Sequence, residues 1–177
     1  MTPPFRADIR RWPTVAAFRA HLAQYDPAIA GWARGIVIHD TYEPEAHEWY
    51  GRRSMDAILR YYRDVMRWDS GPHLFVSGDA PNPAHRGIWQ LTALNERAIH
   101  AGMCNATRWG VEVVGRHISR PWSPATRALT VGALAALCHW RGLTPETIIR
   151  HRDCTGKACP GAAIILPDVR RWVAGAL

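Results

Sequence analysis

A chain of 177 residues gives one domain with a full core, and 47% hydrophobic content is too high for a disordered chain. No run approaches the roughly 18 continuous apolar residues of a membrane span, so a membrane-spanning class is excluded. The net charge of +7 favours a polyanionic partner, but the basic residues are scattered and no nucleic-acid motif appears, which leaves an acidic polymer or surface rather than a specific nucleic acid.

The chain opens Met1-Thr2-Pro3-Pro4-Phe5-Arg6, with Asp8, Arg10 and Arg11 close behind, and shows no apolar leader stretch. The expectation is cytoplasmic synthesis, with any role outside the cell needing another route of release. Val15, Phe18, Leu22 and Tyr25 recur at helical spacing and predict a helix from Thr14 to Tyr25. Gly35-Ile36-Val37-Ile38-His39 is a short β-branched run that reads as a buried strand ending in a histidine. Ser54 is placed to cap a helix reaching about Trp68, with Met55, Ile58, Leu59, Tyr62, Val65 and Met66 as its buried stripe.

Three strands are expected next, over 73–76, 87–91 and 109–114, with Pro81-Asn82-Pro83 turning the chain between the first two. Residues 115–121 read as loop. Ser123-Pro124 is a cap followed by proline at the first helical position, and Gly142 ends the long helix so begun. A last helix is expected over 167–174. Strands in the middle with helices at both ends predict a single α/β domain over 1–177 with a central mixed sheet flanked by helices. The chain is expected to act as a monomer, an expectation that rests on no sequence feature.

The chemistry-bearing residues concentrate in one late segment. Of the four cysteines, Cys138 lies in the apolar run Leu134-Ala135-Ala136-Leu137-Cys138 and reads as core, whereas Cys154 and Cys159 lie in a polar loop with His151 and Asp153. An even cysteine count alone sets up no disulfide framework in a protein of this size. Lys157 is the only lysine, every other basic side chain counted in the charge being arginine, and it falls between His151 and Cys159. An ammonium and a guanidinium are not interchangeable at a reacting centre. His39 at a strand end, with His151 and Cys159 flanking a foldable loop, matches the three-ligand pattern of catalytic zinc sites, which keep a fourth position open.

In order and spacing, five segments resemble the zinc-dependent N-acetylmuramoyl-L-alanine amidases. This type 2 family includes phage lysozymes of the amidase kind, peptidoglycan recognition proteins and cytosolic recycling amidases. The resemblance runs from about residue 35 to 161 and is most specific at His151-Arg152-Asp153-Cys154-Thr155-Gly156-Lys157-Ala158-Cys159-Pro160-Gly161. The other segments are Val37-Ile38-His39-Asp40-Thr41, Gly87-Ile88-Trp89-Gln90-Leu91, Ala98-Ile99-His100-Ala101-Gly102 with Asn105, and Trp109-Gly110-Val111-Glu112-Val113.

The resemblance implies one Zn2+ held by His39, His151 and Cys159. It implies hydrolysis of the amide between N-acetylmuramic acid and L-alanine, with Lys157 at the reacting carbonyl. It prefers Cys159 to Cys154 as ligand because Pro160-Gly161 follows, and leaves Cys154 free, although Cys154 competes as a ligand or as a disulfide partner of Cys159. Glu112, mid-strand among apolar neighbours, is the expected general base and acid, burial raising its pKa and a nearby zinc lowering it. The competing reading of Glu112 is an outward-facing strand residue, opposite Val111 and Val113. His100, Asn105, Thr107 and His73 are expected to bind substrate, His73 being equally readable as a satisfied core histidine.

Three departures stand out. Asp40 replaces the second histidine of the usual His-His-Thr, Arg108 stands where a small serine is common, and Pro72 stands where phage amidases often carry a catalytic tyrosine. Glu112 is the natural replacement for that tyrosine. The expected role is a phage or prophage lysin, bacteriolytic and held to an anionic envelope by its charge. The alternatives are a cytosolic recycling amidase for anhydro-muropeptides and a non-catalytic peptidoglycan-binding module, the latter disfavoured by Cys159.

Overall fold

The computed structural model describes residues 4–177; Met1, Thr2 and Pro3, which open the segment read for a leader, lie outside the described residues. Six strands form one mixed sheet: β1 (Arg10–Trp12), β2 (Ile36–Asp40), β3 (Leu74–Ser77), β4 (Gly87–Gln90), β5 (Trp109–Val113) and β6 (Ile148–Arg150). Their spatial order is β1-β4-β3-β5-β2-β6. The β1–β4 and β4–β3 pairs are antiparallel, whereas β3–β5, β5–β2 and β2–β6 are parallel. The helices are α1 (Val15–Leu22), α2 (Arg52–Arg60), α3 (Pro124–Arg141), α4 (His151–Thr155) and α5 (Leu166–Ala174).

Side chains alternate across a strand, so the register assigns each residue to a face. Ile36, Ile38, Leu74, Val76, Val111 and Val113 face the layer built from α1, α3 and α5, and form the main core with Phe18, Leu134, Leu137 and Val169. That face needs no polar group, which is why α3 runs through Ala133 to Cys138 without an exposed side chain. Ser123 caps α3 by accepting from the Thr126 amide at 3.1 Å, and Gly142 ends it in the left-handed conformation. Such a cap contributes about 1 kcal/mol. The opposite face carries a smaller core of Trp49, Met55, Phe75, Trp89 and Leu91, covered by α2 with its extension and by Phe5 and Ile9 of the N-terminal segment. The uncovered remainder of that face is the cleft.

Several sequence expectations need correction. Ser54 does not cap α2; the helix begins after Gly51, whose φ of +61° favours glycine, and the buried Ser54 Oγ accepts from the Tyr50 amide at 2.8 Å. After Arg60 the helix widens into a π turn over Tyr61–Val65, in which the Met66 amide donates to the Tyr61 carbonyl. That extra residue turns Val65 and Met66 outward, to 66% and 38% exposure, so they are not part of the buried stripe. α1 stops at Leu22, short of the exposed Tyr25. The loop expected after His151 begins as the short helix α4. Among the described residues no helix is long and apolar enough to cross a membrane.

Candidate metal centre and cleft

The parallel pairing places His39 of β2 opposite Glu112 of β5, and Glu112 opposite Phe75 of β3. Directly opposed residues share a face, so these three form a row on the cleft side. One step back along the strands, Val37 lies opposite Gly110, and the His73 amide donates to the Gly110 carbonyl. Gly110 leaves room for the His100 ring: a Cβ at 110 would lie 2.6 Å from His100 Cγ. His100 therefore roofs this second row and lines the cleft itself, while His73 stays beneath it.

The histidines form an ordered chain of hydrogen bonds. His73 Nε2 donates to the Glu96 carbonyl at 2.9 Å, and its Nδ1 accepts from the Gly110 amide at 3.0 Å. Both nitrogens are satisfied, and burial, with His100 second, lowers its pKa to about 3. This is the arrangement of a satisfied core histidine, the other reading of His73, and the residue lies outside the lining of the cleft. His100 Nε2 donates to the Arg108 carbonyl at 2.9 Å, so its Nδ1 must accept from His39 Nε2 at 3.1 Å. This tautomer leaves the His39 Nδ1 lone pair facing the cleft, 3.7 Å from Glu112 Oε1. A ligating histidine whose other nitrogen donates to a fixed acceptor is held in orientation. Burial, then His100, His151 and Lys157, keeps His39 well below the usual histidine pKa, and hence neutral.

His151 and Cys159 reach the same point by local folding. β6 pairs with β2 and delivers His151 to the first position of α4. Asp153 accepts from the Arg150 amide at 2.8 Å and pairs with its guanidinium at 2.9 Å, which fixes the start of that helix. The Arg152 amide donates to the Cys159 carbonyl at 3.1 Å, folding the loop back, and the Asp40 amide donates to Cys159 Sγ at 3.3 Å. Gly161 has φ +91° and lies so close to the His117 carbonyl that any Cβ would collide, so this turn requires glycine.

The metal-binding atoms of His39, His151 and Cys159 all lie within 4.8 Å of one another. Tetrahedral zinc needs N and S atoms roughly 3.5 Å apart, from bonds of about 2.0–2.3 Å, so a small closure completes the set. One further observation fits a dication here. Glu112 is 6% exposed and its Oε2 has no hydrogen-bond partner. Burial, then Glu112, pushes the Cys159 thiol pKa up, whereas a bound cation would draw it down to the thiolate. Burial, followed by Asp40, also holds Glu112 well above the usual carboxylate range.

Above this group opens a cleft of about 980 Å³, lined among others by His39, His100, Glu112, Lys157 and Cys159. Lys157 is exposed at its margin. Asn105 and Thr107, expected at the substrate, are not among the residues that line it. Asn105 Oδ1 accepts from the His100 and Ala101 amides at 3.0 and 2.7 Å, so it shapes the loop carrying His100. The Thr107 amide donates to the Cys104 carbonyl and its own carbonyl accepts from Arg34. Arg108 turns away to the Thr147 carbonyl at 2.7 Å and makes no contact with the cleft. The sequence reading missed Tyr62, Trp68 and Arg53 as cleft residues. Tyr62 was hidden by its own periodicity, which placed it with the core.

Cys154 is not free. It is bonded to Cys104, 50 positions away in sequence, with Cα atoms 6.0 Å apart. The bond ties the 102–106 turn beneath His100 to α4, the helix that presents His151. Closing a loop of this length removes chain entropy worth about 4 kcal/mol, and measured losses on removal usually reach about 2–4 kcal/mol. Cys104→Ser paired with Cys154→Ser should lower Tm by roughly 5–15 °C. An unchanged Tm, with and without reductant, would count against a structural bond.

The family described as N-acetylmuramoyl-L-alanine amidase matches residues 30–162. A comparison with curated protein sequences finds no match. Among solved structures, the chain is similar to the endolysin N-acetylmuramoyl-L-alanine amidase LysCS from Clostridium intestinale URNW, at TM-score 0.66 and 17% identity, covering 82% of this chain and 86% of that one. Wild-type PGRP-LB of Drosophila gives TM-score 0.62 and 18% identity over 79% and 81% of the two chains. Drosophila peptidoglycan recognition protein SD gives 0.64 and 16% over 75% and 76%. At these identities the structural likeness speaks to the fold, while the family match spans most of the chain and includes His39, Glu112, His151 and Cys159. The chain belongs to the N-acetylmuramoyl-L-alanine amidase family of type 2, which shares its fold with the peptidoglycan recognition proteins.

Proposed function

We propose that this protein is a zinc-dependent hydrolase that cuts the amide between N-acetylmuramic acid and L-alanine in peptidoglycan, acting as a phage or prophage lysin. The observation that carries the reading is the convergence of His39, His151 and Cys159 on one point beside the unpartnered carboxylate oxygen of Glu112. A zinc ion there would polarise the scissile carbonyl and supply hydroxide at neutral pH. Glu112 takes the proton of the attacking water and returns it to the departing L-alanine nitrogen, so one carboxyl serves as base and then acid. The Lys157 ammonium at the cleft margin donates to the carbonyl oxygen as negative charge builds on it. His100 holds His39 in the tautomer that leaves Nδ1 open.

The Cys104–Cys154 bond supports action outside the cytosol over recycling of soluble muropeptides, since disulfides persist in oxidising compartments. The net charge of +7 would hold the enzyme to an anionic envelope. The test is digestion of purified peptidoglycan by the zinc-loaded protein with analysis of the products. New L-alanine amino termini without new reducing sugar ends are expected. Reducing ends would move the cut to the glycan, and retention on peptidoglycan with no product at all would leave a binding module.

A further inference from the structure

Tyr62 occupies a position that packing alone does not account for. It follows the last turn of α2, inside the π turn, where the chain reverses and the Trp68 amide donates to the Tyr62 carbonyl at 2.9 Å. That reversal lays the Trp68 ring on the Tyr62 ring, with centroids 5.1 Å apart and planes within 13°. On its other side the ring presses on Gly71, where a Cβ would stand 2.7 Å from Tyr62 Cδ2 and 2.8 Å from Leu91 Cδ2. The ring also packs against the smaller core of Phe75, Leu91 and Val114. Ring and backbone are thus fixed from three directions.

The hydroxyl is a different matter. Tyr62 lines the cleft together with Glu112, Cys159 and His39, and among the described residues its Oη has no hydrogen-bond partner. The hydroxyl oxygen is not one of the buried side-chain atoms left without a partner, so it opens onto the cleft rather than into the core. A rigid aromatic whose polar end is unpartnered and shares a cleft with a reacting centre is arranged as a donor for something that enters that cleft. Neighbouring Pro72, also in the lining, has no donor to offer. Burial, then the negative charge of Glu112, holds the phenol above its usual pKa, which keeps it protonated through the working pH range.

We propose that Tyr62 is a catalytic residue of this hydrolase, its O–H donating to the oxygen of the scissile carbonyl as that oxygen becomes an oxyanion. The assignment rests on the amidase reading above. No bond to Tyr62 forms or breaks; the phenol keeps its proton and strengthens a hydrogen bond as charge develops. Tyr62 would act from the α2 side of the cleft and Lys157 from the loop after α4, giving the oxyanion two donors on separate elements. Two donors of this kind are each worth about 10²–10³ in rate where one has been removed elsewhere.

The experiment compares Tyr62→Phe with the parent, both zinc-loaded, on a soluble muropeptide. Phenylalanine keeps the stack on Trp68 and the contact with Gly71, so Tm and zinc content should not move. The expected result is a fall in kcat of about 10²–10³-fold with KM within a few-fold of the parent. A phosphinate analogue of the tetrahedral centre should bind more weakly by a similar factor, while the free product binds as before. Retention of kcat within about 3-fold would overturn the assignment, as would a loss matched by falling zinc content or Tm, which would mark Tyr62 as structural. A parent that binds zinc and cuts no muropeptide would overturn the amidase reading and Tyr62 with it, whereas an active parent and an equally active variant would overturn Tyr62 alone.

Discussion

Glu112→Gln should lower turnover of the amide by about 10²–10⁴-fold while leaving zinc content unchanged. The glutamine keeps the shape and burial of the side chain but has no lone pair basic enough to accept a proton from water. Glu112 Oε1 lies 3.7 Å from His39 Nδ1, beyond hydrogen-bond length, so the substitution should not disturb the ligand's orientation. The same variant carries a second signature in the metal-free protein. Burial holds the Glu112 carboxyl above its usual pKa, so the folded state binds that proton more tightly than the unfolded state. The resulting stability is complete below the unfolded pKa and is lost as pH rises through the folded one. Glutamine cannot ionise, so the metal-free variant should become more stable than the metal-free parent as pH climbs above the ordinary carboxylate value. Adding zinc should shrink that difference, because a neighbouring dication favours the ionised carboxylate. Melting curves across pH, in chelator and in zinc, measure both effects. A parent and variant with parallel curves would show that Glu112 is not held neutral, and a variant with parental turnover would remove it from the proton transfers.

How much of this site could be seen in the sequence depends on how local each feature is. The β-branched run ending at His39, the Ser123-Pro124 start and the Gly142 stop are written in neighbouring residues, and the structure has them where periodicity and capping place them. β1 and β6 are three residues each and carry arginines, too short for a period to register; they exist because the edges of β4 and β2 accept them. The missed β6 matters, since it is what delivers His151. Glu112 shows the limit of alternation: the period separates it from Val111 and Val113, but only the sheet order shows that its face is roofed by the cleft rather than open to water.

His73 shows the same limit in reverse. It shares a face with Phe75, yet His100 sits over Gly110 and shuts it away, a contact set by residues 27 positions apart in sequence. Cys154 was misplaced because its partner, Cys104, lies on a turn whose approach to α4 depends on the whole fold. Tyr62 fits a buried stripe by spacing; only the π turn and the return of Trp68 reveal that its hydroxyl end lies in the cleft.

Cys159→Ser should strip the protein of zinc after dialysis, from about one ion per chain to near none, and reduce turnover by more than about 100-fold. The floor comes from the cost of losing a mere outer partner of a ligand, about 10–100-fold in affinity or activity. Loss of a ligand exceeds that. The argument for a large effect is electrostatic as well as geometric. Without a cation, burial and Glu112 both keep the thiol protonated, so the site pays for a thiolate only by holding a metal, the Asp40 amide at 3.3 Å from Sγ being a neutral donor. A serine hydroxyl is far less acidic than a thiol and a harder donor, so the same surroundings will not ionise it. Cys154 cannot step in, because its sulfur is committed to Cys104. Cobalt exchanged into the parent should show a thiolate-to-metal absorption band that the serine variant lacks, and that Cys138→Ala, altered only within the α3 core, retains. A serine variant with full zinc would move the third ligand elsewhere. The nearest remaining donor in the row is Glu112, and the zinc content of the Cys159→Ser, Glu112→Gln double variant would then decide whether the carboxylate had taken the place of the thiolate.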